Sequence, residues 1–193
     1  MVHHVILAGG PAAGKTSVLE LLKALPRHET APKIILLNEV ATFLFSLFPD
    51  LRKNTSQDMF QAVIYASQVL TQYIIDQAFE SNEGDVLCIS DRGCLDLNAY
   101  TTNTFCALTG FAPDTMPQYD LVLYLESPDC FVERQNNPYR QEDADSARVI
   151  EAKTRHAWER SDKFCIIPVC STIAEKALCV AEAINQQFGP VFT

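Results

Sequence analysis

The chain has 193 residues, enough for one domain with a substantial core and too few for two of ordinary size. Hydrophobic residues make up 48% and charged residues 20%, which excludes a disordered or collagen-like polymer. Fifteen Lys and Arg against 24 Asp and Glu leave a formal charge of −9, so no global field draws the chain to nucleic acid or anionic lipid.

Taken in chain order, the first element is a short apolar run at residues 5–8 that reads as a buried parallel strand. It runs into Gly9-Gly10-Pro11-Ala12-Ala13-Gly14-Lys15-Thr16, which satisfies G-x-x-x-x-G-K-[ST] in the required place, after a strand and before a helix. In such a loop the backbone N–H groups of residues 10–17 (Gly10, Pro11 excepted, Ala12, Ala13, Gly14, Lys15, Thr16, Ser17) turn toward phosphate oxygens. Lys15, read as a solvent-facing loop side chain, reaches the β- and γ-phosphates, and Thr16 ligates magnesium. Leucines at 19, 21, 22 and 25 predict a helix over residues 15–25.

A second strand is predicted at residues 34–37, with Glu39 just beyond it. A carboxylate there either takes the proton of an attacking hydroxyl or sits at a helix N-terminus, where the dipole favours it. The longest helix is predicted over residues 55–79, with Asn54 or Thr55 as its cap and Phe60, Val63, Ile64, Ser67, Leu70, Ile74 and Phe79 along its buried face.

The third strand, residues 86–90, ends in Asp91-Arg92-Gly93. Ligands of doubly wound sheets bind beyond the carboxyl ends of the strands, so Asp91 is a candidate magnesium ligand and Arg92 a clamp for an anionic or transferring group. The alternative is an ion pair that finishes the strand. Residues 101–118 read as a long loop, and residues 121–125 as the fourth strand.

Residues 127–160 carry dense mixed charge and read as a helical lid, with seven of the fifteen basic residues between Arg134 and Lys163. Arg134, Arg140 and Arg148 are candidates to close over a transferring phosphoryl group, while most of the remaining charge fits solvated helix faces. Trp158 reads as a core or lid-packing anchor. A fifth strand is predicted at residues 164–169, residues 168–172 can border a nucleotide base, and Thr172-Ile-Ala-Glu175 opens a capped helix ending near Phe188.

No apolar run is long enough to cross a bilayer, and the first residues lack the basic start of a signal peptide. Seven cysteines, odd in number and without a Cys-x-x-Cys pair, read as reduced, mostly buried thiols, so a cytoplasmic setting is expected. His3, His4, His28 and His156 have no metal-ligand spacing. Strand and helix alternate throughout, which predicts one α/β domain over residues 1–193 with a parallel sheet covered on both faces.

The phosphate loop, Asn38-Glu39-Val-Ala, Asp91-Arg92-Gly93-Cys-Leu-Asp96-Leu-Asn-Ala-Tyr100 and Tyr119-Asp120-Leu-Val-Leu-Tyr-Leu together resemble a family of small kinase-like AAA-domain P-loop NTPases. That family is similar to the nicotinamide riboside kinase domains of bacterial NAD regulators and to the nucleotide-binding domain of TRPL translocation defect proteins. The resemblance implies a five-stranded parallel sheet ordered 2-3-1-4-5, with magnesium and ATP or GTP. It places Glu39 at the acid-base or substrate position and Asp91 and Arg92 at the metal and substrate positions. The chain contains no guanine-specifying Asn-Lys-x-Asp, which favours ATP.

The expected function is transfer of a phosphoryl group from ATP or GTP to a small molecule such as a nucleoside, with Lys15, Glu39, Asp91, Arg92, Arg134 and Arg140 as the catalytic set. A nucleotide-dependent switch that presents its loops to a partner is the alternative. A polynucleotide end-kinase fits the acidic composition worst.

Overall fold

The structure is a computed structural model that describes residues 1–101, 110, 118–128 and 144–193. Its centre is a five-stranded, all-parallel sheet: β1 (Val2–Ala8), β2 (Lys33–Leu37), β3 (Val86–Asp91), β4 (Leu121–Leu125) and β5 (Phe164–Ile167), in the order β2-β3-β1-β4-β5. Order and direction are those the sequence and its resemblance implied. β1 is longer than its apolar run because His3 and His4 extend it, and β5 stops at Ile167 because Pro168 offers no N–H to continue the ladder.

The three middle strands are apolar on both faces, as a doubly covered sheet requires. Val5 and Leu7 of β1, Leu87 and Ile89 of β3, and Leu121, Leu123 and Leu125 of β4 pack under α1 (Lys15–Ala24) and the last helix, which α1 meets through Leu19 and Leu22. On the other face Ile6, Ala8, Val122 and Tyr124 pack against Trp158.

Between β2 and β3 the chain forms α2 (Val40–Leu47), the single turn α3 (Leu51–Asn54) and α4 (Gln57–Phe79). α4 is capped by Ser56, whose hydroxyl accepts from the Met59 N–H at 3.2 Å, rather than by Asn54 or Thr55; the Thr55 hydroxyl is turned back onto Leu51 O. Its buried stripe runs through Phe60, Gln61, Ile64, Tyr65 and Ile75. Leu70 and Ile74, expected on that face, are exposed, because the second half of α4 turns Ser67, Gln68, Thr71 and Gln72 inward.

After β3 a 3₁₀ segment (Cys94–Ala99) follows; after β4 come α5 (Ala144–Trp158) and α6 (Ile173–Phe188). α6 opens with the predicted capping box: Glu175 N–H to Thr172 Oγ1 at 3.1 Å and Thr172 N–H to Glu175 Oε2 at 3.3 Å. Arg134 and Arg140, nearly all of the 101–118 loop, and lid residues 129–143 lie outside the described residues. Among the described residues no helix is long and apolar enough to cross a membrane.

Candidate functional site

The site forms where β1 and β3 end side by side. Register pairs Leu7 with Asp91, and the Arg92 N–H donates to Leu7 O at 3.1 Å, so the residues after each strand share one edge. From β1 the chain turns through the phosphate loop. Gly9 sits at φ +142°, and a Cβ there would lie 2.5 Å from Leu125 O; Gly14 at φ +90° starts α1 with no side-chain cap. Only glycine fits the first position, and the second starts α1 without a side-chain cap, as at an anion-binding helix N-terminus.

Lys15 departs from the sequence expectation. It is 4% exposed and folds back under its own loop, donating to Gly9 O and Gly10 O at 2.8 Å each. Burial, reinforced by nearby Arg92, lowers its pKa to about 8. A second lysine braces the loop from behind: Lys176 of α6 donates to Glu126 O at 2.7 Å and Ala13 O at 3.2 Å. Nothing in the sequence singled it out, because an interior lysine of an amphipathic helix looks like an ordinary surface charge. Ile173, at the start of α6, abuts Gly14, so the start of α6 lies beside the phosphate loop.

Asp91 and Arg92, adjacent in sequence, serve different partners. Asp91 is 2% exposed; its Oδ2 accepts from Thr16 Oγ1 at 2.5 Å, and its Oδ1 is buried without a partner among the described residues. Burial pushes this carboxyl up, with Lys15 opposing. Two oxygens of hard-donor type, one of them orphaned, at the mouth of a phosphate loop fit a magnesium ion. The alternative of an Asp91–Arg92 pair closing the strand does not hold.

Arg92 instead carries a left-handed φ of 76° and turns away to Glu39, with Nε to Oε1 at 2.6 Å, and to Asp96, with an Nη to Oδ1 at 3.5 Å. It also lies over the Tyr100 ring at 5.5 Å. Glu39 is the N-cap residue of α2, and its second oxygen accepts from Thr42 at 2.7 Å. Burial alone would raise its pKa; the Arg92 charge and the Thr42 and Arg92 hydrogen bonds win and hold it at about 2. At the longer contact burial prevails, and the Asp96 carboxyl is pushed up. Glu39 thus sits at a helix N-terminus, one of the two places its position allowed, and its charge is committed to Arg92.

Asp96 was quoted only as part of a motif, yet it organises the floor of the site. It accepts from the Gly93 N–H at 2.9 Å and from Trp158 Nε1 at 3.2 Å, and so ties α5 to the Arg92 turn. Trp158 is 1% exposed, a core anchor with Tyr119 tilted against it at 5.5 Å.

Beyond Asp91 and Arg92 opens a cavity of about 290 Å³. Its walls are the ends of β1 to β3 (His4, Leu37, Ser90), the residues flanking Glu39, the start of α2 with Phe43 and Leu44, and the polar half of α4. It is not legible in the sequence, because its lining is scattered over five elements and the turns between them. His4 at its floor is bonded through Nε2 to Asp76 Oδ1 at 2.7 Å. Among the described residues no three His, Cys, Asp or Glu side chains cluster to hold a metal. Of the five described cysteines, all free, Cys88 and Cys94 are buried and Cys165, Cys170 and Cys179 are half-buried, so the thiols are less buried than expected.

Comparison with solved structures finds 176 similar chains. One is thymidylate kinase from Ehrlichia chaffeensis, with a TM-score of 0.63 over 95% of this chain and 98% of that one, at 13% identity. The fold is therefore that of a P-loop kinase-like NTPase. None of the curated proteins matches. The family model described as an AAA domain matches residues 4–176, from β1 through the phosphate loop and the Asp91 turn into the first turn of α6, and the chain belongs to that family.

Proposed function

We propose that residues 1–193 form a single-domain phosphotransferase that moves the γ-phosphoryl group of a nucleoside triphosphate, ATP before GTP, to a hydroxyl of a small molecule. The observation that carries this reading is the shared wall: Asp91 touches Thr16 of the phosphate loop on one side and lines an open-mouthed cavity on the other. A kinase needs two adjoining sites, one for each substrate; a nucleotide switch needs only one.

In this reading the N–H groups of residues 10 and 12–17 hold the phosphates, and Lys15 leaves the loop carbonyls to meet the β/γ-oxygens. Thr16 and Asp91 hold magnesium, which when bound offsets charge between the phosphates. Arg92 orients the acceptor at the cavity mouth. Glu39 takes the hydroxyl proton on Oε2, the oxygen that Arg92 does not hold, and Arg134 and Arg140 close over the transferring group. A closer kinship to nicotinamide riboside kinase domains and TRPL translocation defect proteins, and a cytoplasmic setting suggested by cysteine usage, belong to the same proposal.

The test is magnesium-dependent transfer from ATP or GTP to a panel of nucleosides, nucleotides and other small alcohols, with products followed by mass. A phosphorylated acceptor, absent with Lys15→Met, is expected. Tight triphosphate binding with no transfer to any acceptor overturns the proposal in favour of the switch.

A further inference from the structure

The wall that α4 gives the cavity is polar: the hydroxyls of Ser67 and Thr71 beside the amides of Gln68 and Gln72. The Ser67 hydroxyl spends its proton on Val63 O at 2.8 Å, and the Thr71 hydroxyl spends its own on Ser67 O at 2.7 Å. Each therefore offers the cavity only lone pairs. Between them Gln68 lines the cavity with an amide whose Oε1 is buried and has no hydrogen-bond partner among the described residues. Rotation of that amide about its last bond presents the oxygen or the NH₂ to a ligand. A molecule seated here pairs with the Ser67 and Thr71 lone pairs only by bringing donors, and the Gln68 oxygen, still without a partner, takes one more.

The opposite side is hostile to an anion. Arg92 is the only Lys or Arg among the described lining residues, and it is already balanced by Glu39 and Asp96. Asp91 adds a carboxylate to that wall, and Asp76 stands behind His4. A phosphate on the acceptor would have to strip Arg92 from a 2.6 Å contact while facing these carboxylates and the lone pairs of α4. Ile6, Val40, Phe43 and Leu44 supply apolar surface for the face of a ring, and about 290 Å³ is at the small end of ligand sites.

We infer that the cavity takes an uncharged, nucleoside-sized acceptor that carries no phosphate, and that Ser67, Gln68 and Thr71 select it by accepting from its N–H and O–H groups. This rests on the phosphotransferase reading for its place beside the phosphate loop, but binding alone tests it. Uridine, thymidine, cytidine, adenosine, guanosine and their 5′-monophosphates are titrated calorimetrically into the nucleotide-free full chain, wild type and the variants Gln68→Leu and Thr71→Val.

At least one nucleoside is expected to bind about tenfold or more tighter than its own monophosphate, and each variant to weaken it by about tenfold, the usual cost of an unpaired group in a buried polar site. Because the Gln68 oxygen has no partner to lose, Gln68→Leu should leave the melting temperature of the unliganded protein unchanged or raised. That separates recognition from support of the fold. Absence of nucleoside binding, a monophosphate that binds as tightly, or wild-type affinity in both folded variants overturns the inference. Nucleoside binding that depends on Gln68 but is followed by no transfer from Mg-ATP removes the phosphotransferase and leaves the inference; transfer to a phosphorylated acceptor does the reverse.

Discussion

Replacing Arg92 with Met removes the one cation that Glu39 and Asp96 share. The pair is buried: Arg92, Glu39 and Asp96 side chains are 11%, 16% and 3% exposed. Breaking such a pair from one side leaves a charge uncompensated, at a cost of about 3–5 kcal/mol. Linkage gives a matching figure for Glu39 alone. Its pKa falls from an ordinary 4.5 to about 2, equivalent to about 3 kcal/mol. A depressed carboxylate stabilises the fold fully above its ordinary pKa, and that contribution is lost as pH falls from 4.5 toward 2.

Without Arg92 the sign reverses. Burial is then the dominant influence on Glu39, its pKa rises above the ordinary value, and protonation relieves the variant as pH falls. Urea unfolding of wild type and Arg92→Met is therefore expected to differ by about 3–5 kcal/mol at pH 7.5, with the gap narrowing steadily toward pH 4. Adding Glu39→Gln to Arg92→Met should recover about 1 kcal/mol or more, since the two residues are in direct contact. A cost under about 1 kcal/mol at pH 7.5, or a gap that does not shrink on acidification, would refute the claim that Arg92 is held by burial and charge together.

The remaining expectations concern the phosphate side and the base. Lys15→Met should abolish the rise in melting temperature that Mg-ATP gives the wild type, while the unliganded variant melts at the wild-type temperature or above it, because a buried ammonium has been removed. With its pKa lowered to about 8, Lys15 also makes triphosphate affinity fall by up to about tenfold per pH unit above that value, read by titration between pH 7 and 10. Asp91→Asn should retain nucleotide binding but lose the strengthening by magnesium, and because burial raises the Asp91 pKa, that strengthening in the wild type should fade on acidification earlier than for an ordinary aspartate. Glu39→Gln should keep triphosphate affinity within about threefold and remove transfer, seen in single-turnover product formation; full turnover would reassign the base.

How much of this was legible in the sequence depends on whether a feature is local. The three middle strands, buried on both faces, and the two edge strands are all short apolar runs, so all five are visible, and the phosphate loop is a contiguous string whose spacing encodes its geometry. α2 was not, since Val-Ala-Thr-Phe-Leu-Phe-Ser-Leu is apolar all round and has no helical period to read; Leu44 and Phe45 are buried while Phe43 and Leu47 are exposed. The buried face of α4 was read one step too far round. Its apolar residues continue onto Leu70, Tyr73 and Ile74, which are exposed, while polar Ser67, Gln68 and Thr71 turn inward to a cavity. Periodicity assigns apolar residues to the core by default, so a polar cavity wall appears as an error in the pattern.

The division of labour between Asp91 and Arg92 shows why site chemistry outran the motif. Both follow one strand, and a regular chain would hold them in a common reach. A left-handed backbone at Arg92, φ 76°, breaks that path and sends the guanidinium away from the phosphate loop toward Glu39 and Asp96. A non-glycine residue in that region costs about 1–2 kcal/mol, so glycine would be the easier choice for the backbone. The side chain is what the site cannot give up. Glu39 on the next strand's loop and Asp96 on the following turn both depend on it, and through the Trp158–Asp96 bond so does the end of α5. Strain at one residue thus buys two separately oriented ionic centres, one facing the phosphates and one facing the cavity. Arg92→Gly would relieve the backbone and lose the second centre, so the strain is the cost of holding Glu39 and Asp96 on one guanidinium.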